Sequence, residues 1–344
     1  MKTWMEHSIS SETNSFDTQV SAVDPIGLCL DQDGMARVNG FHQRYRDLAG
    51  FLRERFGFRV QKIPLDAGLG CPNRDGTLGT QGCIFCDGKG SGTGAWGRGI
   101  GVRQQIEAYL SKPHRAKARG YLAYFQAFSN TYGPVRRLKE LYDEALSVQG
   151  IVGLCIGTRP DCLSEEVLGL LSEYAQKVMV WLELGLQSAH DETLERINRG
   201  HGFREFTEAA QAASQRGLWV CAHLIVGLPG EDLEKARQTA VKIAPLPIHG
   251  LKIHGLYVVK GTVMERLHAG GSYTPLTQET YADAVCQILE RVHPRLVIHR
   301  LCSDPDPETL VAPAWMLDKQ GTLERIRTRL VERDTWQGKL YGAG

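Results

Sequence analysis

Three cysteines, Cys71, Cys83 and Cys86, share one glycine-rich stretch, "CPNRDGTLGTQGCIFC", with eleven residues and then two between them. The close spacing of Cys83 and Cys86 lets neighbouring thiolates hold one metal ion or two corners of one cluster. Cys71 reaches the same place only if the loop folds back, a turn that Gly76, Gly79, Gly82 and Gly88 permit. A closed structural zinc site wants a fourth ligand, usually from a second close pair, and none stands nearby. The residues alone leave three readings open: an iron–sulfur cluster with one open iron, a three-ligand catalytic zinc, or an unrelated thiol role. An open iron is chemically useful because the amine and carboxylate of an amino acid moiety can chelate it. The remaining cysteines, Cys29, Cys155, Cys162, Cys221, Cys286 and Cys302, are isolated, and those inside periodic runs read as small buried apolar side chains.

The same loop carries "GTGAWG", which matches a dinucleotide fingerprint at Gly92, Gly94 and Gly97. It does not follow a strand directly, and no acidic residue at the expected distance closes a second strand, so nicotinamide binding is not supported. "GCIFCDGKG" lacks the glycine spacing of a Walker phosphate loop.

The cysteine loop must be held by the elements around it. A helical pattern, "HQRYRDLAGFLRERFG", and a strand candidate, "RVQKIPL", precede it. Beyond it lie six further strand candidates, "YLAYFQAF", "GIVGLCIG", "VMVWLELGL", "LWVCAHLIVGL", "GLKIHGLYVV" and "RLVIHRL". Amphipathic runs such as "PVRRLKELYDEALS" and "FREFTEAAQAASQRG" separate them; Ser164 suits an N-cap and Gly217 a helix end. Strands joined by helical crossovers imply a parallel α/β sheet with outer helices, open or curled into a full or partial barrel. Either form places ligands at the C-terminal ends of the strands.

The chain has 344 residues, nine cysteines and a formal net charge of +1, so no global field advertises a nucleic acid, a membrane or an acidic substrate. No secretory signal pattern opens it, and no apolar run approaches the roughly 20 residues that span a bilayer. A cytoplasmic protein in a reducing compartment is expected. Residues 1–42 are polar and without sustained period, and read as a partly disordered N-terminal extension.

"LDAGLGCPNRDGTLGTQGCIFCDGKGSG" resembles the cluster loop of radical S-adenosylmethionine (radical SAM) proteins, in the subgroup similar to the catalytic subunit of Elongator. More narrowly, the chain resembles a bacterial family that carries CPNRDGT followed by GC-x-FC. The likeness runs on through "GTRPDCL", "LELGLQS", "INRGH", "HLIVGLPGE", "VIHRL" and "RDTWQGKLY", from about residue 43 to the C-terminus. The spacing departs from the commonest radical SAM pattern, where three residues separate the first two cysteines, in the direction of the Elongator-type proteins. The resemblance implies a partial (β/α)6-type barrel over 43–300, with 301–344 a C-terminal extension packed on it. It also implies a [4Fe-4S] cluster on Cys71, Cys83 and Cys86, S-adenosyl-L-methionine (SAM) on the open iron, and reductive cleavage to a 5′-deoxyadenosyl radical. A reducing electron donor such as flavodoxin or ferredoxin is implied as well.

By the same resemblance Arg199 clamps the cofactor carboxylate and Gln187 contacts its ribose; the plain alternatives are a solvated helix-end arginine and a strand-end cap. Glu183 sits in an otherwise apolar strand, where burial without partners is costly, and points either to the cofactor or into a structural ion pair. His223 would contact ribose or be a satisfied core histidine. The backbone from Ile225 to Gly227 would receive adenine. Thr158 and Arg159 end the third strand facing the site, unless Arg159 merely pairs with Asp161. His254, Tyr257, Lys260, His299 and Arg300 are candidates for the substrate side, although strand alternation turns only some of them inward.

Relatives in the Elongator subgroup act on the tRNA wobble uridine, so tRNA is the first implied partner. Lys112, Arg115, Lys117 and Arg119, and then Arg136, Arg137 and Lys139, could meet phosphates or simply form a solvated surface. The rival readings are a radical enzyme acting on a small metabolite or protein side chain, and a non-catalytic iron–sulfur electron-transfer or regulatory module.

Overall fold

The computed structural model describes residues 36–38, 41–90, 92–112 and 118–342. Most of the expected N-terminal extension, together with Cys29, Arg115 and Lys117, lies outside the described residues.

Seven strands form one sheet: β1 (Val60–Leu65), β2 (Gly120–Phe125), β3 (Ile151–Thr158), β4 (Met179–Gln187), β5 (Trp219–Val226), β6 (Gly250–Gly255) and β7 (Val297–Arg300). Spatial order follows chain order, and every pairing is parallel. Edge strands β1 and β7 do not pair with each other, so the sheet curls into a partial barrel with an open side. Helices close each crossover, among them α2 (Val102–Leu110), α3 (Val135–Leu146), α4 (Glu165–Ala175), α6 (Phe203–Gln215), α7 (Leu233–Ile243) and α9 (Gln278–Arg291). Their apolar stripes cover the outer face of the sheet, where Ile63, Phe125, Ile156, Leu182 and Ala222 are buried.

The expected helix from residue 42 starts later, as α1 (Leu48–Phe56), because Asp47 caps it by accepting from the Gly50 amide at 2.7 Å. Two short antiparallel strands, Ala36–Val38 and Phe41–Gln43, precede it. Helix α1 packs against both edge strands and closes the N-terminal mouth of the barrel. Phe51 enters the interior, its ring 5.9 Å from Trp181 and 5.2 Å from Trp219. Truncating such a plug costs about 3–5 kcal/mol.

The run read as one strand over 250–259 is broken. After β6 the chain leaves the sheet, and Val258–Val259 pairs antiparallel with Leu310–Ala312. Three helices escaped the periodic reading: α5 (Asp191–Arg196), α8 (Val263–Ala269) and α10 (Lys319–Glu332). Helix α10 lies on α9, where Arg333 bonds Glu290 at 2.9 Å and Arg329 bonds Asp283 at 3.1 Å. Farther on, Gln337 holds the Leu296 carbonyl at 2.9 Å and accepts from the Arg46 amide at 3.0 Å, tying the segment before α1 and the segment after α10 to the foot of β7. Among the described residues no helix is long and apolar enough to cross a membrane.

Candidate active site

The site is built in layers along the inward face of the barrel, since strand side chains alternate. Trp181, Glu183, Gly185 and Gln187 follow one another up β4, and Cys221, His223 and Ile225 up β5. The lowest layer is the apolar plug around Phe51, Trp181, Cys155 and Cys221. Above it stands a charged layer, and above that a cavity of about 430 Å³.

Glu183 centres the charged layer and is fully buried. Its carboxylate bonds the Lys62 ammonium, accepts from Lys252 Nζ at 3.0 Å, and meets His223 Nε2 at 2.8 Å and His299 Nδ1 at 3.4 Å. Lys252 also donates to the Tyr124 hydroxyl at 2.6 Å. Burial opposes the Glu183 charge, but the Lys252 and Lys62 ammoniums and the two imidazole bonds outweigh it, so the carboxyl is held well below the usual range. Burial and the Lys252 charge push His223 down to about 4, and burial with Lys62 pushes His299 down to about 3. Burial likewise lowers Lys252 to about 8. Both imidazoles are neutral at neutral pH, and the layer is an ion cluster rather than a set of free acids and bases.

The cysteine loop forms the opposite wall. It folds back as its glycines allow: the Arg74 amide bonds the Cys71 carbonyl at 2.9 Å, Gly82 bonds the Asn73 carbonyl at 2.7 Å, and Cys86 bonds the Cys83 carbonyl at 3.0 Å. Gly82 sits at φ +71, and a side chain there would run into Arg74. The segment after α5 pins the loop, since Asn198 donates to the Gly82 carbonyl at 2.7 Å while Asn73 donates to the Asn198 carbonyl at 2.7 Å. Cys71, Cys83 and Cys86 are free thiols, and all three line the cavity. Among the described residues no three His, Cys, Asp or Glu side chains converge on a single ion. Three thiols on one cavity wall are compatible with ligation of a multi-iron cluster.

Thr158, Arg159, Glu183, Gln187, Arg199, His223 and Ile225 also line the cavity. Arg199 is buried, not a solvated helix-end residue; Nη2 donates to the Gly185 carbonyl at 2.6 Å and Nη1 lies 3.5 Å from the Cys83 sulfur. Its Nε is buried without a partner among the described residues. A side chain at position 185 would come within 2.5 Å of that guanidinium, so Gly185 makes room for it. Arg159 grips Asp161 with two bonds of 2.9 and 2.8 Å and donates to the Arg199 carbonyl at 2.8 Å. The Thr158 hydroxyl shares a 2.6 Å bond with Thr131. Gly227 stands apart from the cavity lining, its carbonyl accepting from the Tyr273 hydroxyl at 2.8 Å.

On the other side of the mouth, His254, Tyr257 and Arg300 line the cavity, while His299 lies below in the charged layer. Lys260 is exposed, turned away onto the Glu308 carbonyl. Sequence reasoning missed Lys62, Tyr124 and Lys252, whose strands read as apolar runs, and Arg74, which donates to the Cys86 and Asp87 carbonyls at 2.8 and 2.7 Å. Their signal was period two: 62, 124 and 252 all fall on inward positions.

The radical SAM superfamily family model matches residues 69–243, which contain the cysteine loop, β2 to β5 and α7. The chain belongs to the radical SAM superfamily. A radical SAM C-terminal domain matches 248–332. Protein YhcC of Escherichia coli K12 is 43% identical over 294 residues, covering 85% of this chain and 94% of that protein. A tRNA uridine(34) acetyltransferase of Dehalococcoides mccartyi is 33% identical over 157 residues, 44% of this chain and 33% of that protein. Among solved structures, the archaeal Methanocaldococcus infernus Elp3 superposes with a TM-score of 0.60 at 18% identity, covering 81% of this chain and 64% of that one; it shares the curled parallel barrel. For this radical SAM enzyme, membership of the superfamily implies SAM and a four-iron cluster as cofactors. Three thiols on one wall, and a buried guanidinium with a free N–H beside them, fit an anionic cluster and a carboxylate-bearing ligand.

Proposed function

We propose that Cys71, Cys83 and Cys86 hold a [4Fe-4S] cluster and that SAM lies between it and the upper ends of β3, β4 and β5. The observation that carries this reading is the juxtaposition of the three thiols with Arg199 in one cavity. When bound, the cluster and SAM together supply a 5′-deoxyadenosyl radical that takes a hydrogen atom from substrate. The protein's residues position and shield. Arg199 presents its unpaired Nε–H to the cofactor carboxylate, and Arg159, by holding the Arg199 carbonyl, keeps that segment in place. Gln187 presents its amide to the ribose, Ile225 gives adenine an apolar shelf, and Thr158 adds a hydroxyl edge. His223 and Glu183 close the floor and, being tied into the ion cluster, keep a fixed polar surface beneath the cofactor.

The proposed substrate is a tRNA wobble uridine. Support comes from the likeness to a tRNA uridine(34) acetyltransferase over 44% of this chain. Helix α3 offers phosphates little, since Arg136 and Arg137 pair with Glu140 and Lys139 pairs with Asp143. Anaerobic reconstitution should load close to one four-iron cluster per chain, and dithionite with SAM should release 5′-deoxyadenosine. Nucleoside profiles of tRNA from a deletion strain and its parent decide the substrate: unchanged wobble uridines sink the tRNA assignment.

A further inference from the structure

The pairing of β7 with β6 slips by one residue. Ile298 lies opposite Leu251, but Lys252 is opposed by Arg300, leaving His299 as an extra residue in the strand. A bulge of this kind breaks strict alternation and re-aims a side chain. Its effect here is that two consecutive side chains face the interior: His299 reaches Glu183 and Trp181, and Arg300 joins Lys252 at the cavity wall.

Arg300 has no ion pair and no side-chain hydrogen bond among the described residues. The acidic residues of the cavity wall are engaged elsewhere: Glu183 with Lys62 and Lys252, Asp304 with Lys319 at 2.9 Å, Asp306 with the Glu308 amide at 3.0 Å, and Asp87 with the Lys89 amide at 3.0 Å. The side chains of His254 and Tyr257, on the same wall, also make no hydrogen bond among the described residues. Deeper in, Lys62 and Lys252 share a single buried carboxylate, Glu183. The wall therefore presents an uncompensated guanidinium, an imidazole and a phenol, backed by a layer with surplus positive charge. Half-burying a cation without a partner is unfavourable unless a ligand supplies one.

We propose that Arg300, with His254 and Tyr257, forms a substrate subsite for an anionic oxygen group, a carboxylate or a phosphate. The guanidinium fork suits two oxygens of one planar or tetrahedral anion, and the phenol and imidazole complete its hydrogen bonds. The proposal rests on the reading that this cavity hosts the reaction, and it deepens it: a substrate must carry such a group close to the atom attacked. Acetate and inorganic phosphate serve as probes, titrated calorimetrically into the reconstituted enzyme with SAM bound.

At least one probe should bind the wild type, and Arg300→Gln should weaken it on the order of tenfold or more. Binding of acetate alone assigns a carboxylate source, and of phosphate alone a phosphate source. Tyr257→Phe, which removes one hydroxyl, should weaken the same probe about threefold and covers the case in which Arg300→Gln does not fold. If neither probe binds the wild type, or both variants bind as the wild type does, the subsite is wrong. Iron content and 5′-deoxyadenosine release from the same samples report separately on the proposed function, so the two failures are distinguishable.

Discussion

Nη1 of Arg199 lies 3.5 Å from the Cys83 sulfur while Nη2 of the same guanidinium holds the Gly185 carbonyl at 2.6 Å. One side chain thus spans from the cysteine loop to β4, and Nε is the guanidinium nitrogen left without a partner among the described residues. Arg199→Ala should therefore weaken SAM binding more than it weakens cluster loading. The loss of a charge-assisted bond predicts a drop in affinity of about ten- to a hundredfold. Equilibrium dialysis with labelled SAM, alongside iron analysis, checks it; unaltered affinity removes Arg199 from the cofactor site.

Cysteine position, not cysteine count, should decide iron binding. Cys83→Ala is expected to abolish the cluster. Cys155→Ala, a change on β3 within the apolar plug, should leave iron content intact and lower stability by about 1 kcal/mol. Iron loss from the Cys155 variant would show that the thiol is more than packing.

The Glu183 cluster predicts acid sensitivity. His223 and His299 are held neutral far below the ordinary 6.5, at about 4 and about 3, and Glu183 is held charged well below the ordinary 4.5. As pH falls from 6.5 the unfolded chain takes up protons that the folded chain refuses, so stability declines with acidification. For His223 alone the loss by pH 4 is on the order of 3 kcal/mol. Urea unfolding across this range should show the decline, and His223→Gln should flatten part of it. Glu183→Gln leaves Lys62 and Lys252 buried without their counter-ion, a cost of about 3–5 kcal/mol that the same assay reads at neutral pH.

Much of this was legible in the residues because burial on both faces of a parallel sheet produces apolar runs of strand length. The runs at β2, β3, β4 and β5 mark their strands closely. Register was not legible. Nothing in "RLVIHRL" announces the bulge at His299 that turns Arg300 inward, since bulges arise from pairing with a neighbour strand rather than from local preference. Lys62, Tyr124 and Lys252 were hidden for a related reason, because a strand candidate does not show which of its side chains turn inward until the sheet curls and gathers them into the layer around Glu183. Helix α5, only six residues long, is too short to show a period, yet the turn that follows it pins the cysteine loop.

Gln187 offers a test that separates function from stability. It stands at the end of β4 with φ +79, in the left-handed region that side-chain-bearing residues seldom occupy. A register slip against β5 between Gly185 and Gln187 forces this backbone, and it places the side chain on the cavity wall. Strain of this kind costs on the order of 1 kcal/mol and persists where the side chain serves a purpose. Gln187→Gly removes the steric penalty and the amide together, so it should raise the unfolding free energy by up to about 1 kcal/mol while SAM affinity falls several-fold. Gln187→Ala removes the amide but keeps a Cβ at the same φ, and should lose affinity without gaining stability. Denaturant midpoints and SAM titrations on both variants check the pair. Equal affinity in all three proteins would mean that the conformation is a by-product of the register slip and not a device for holding the cofactor.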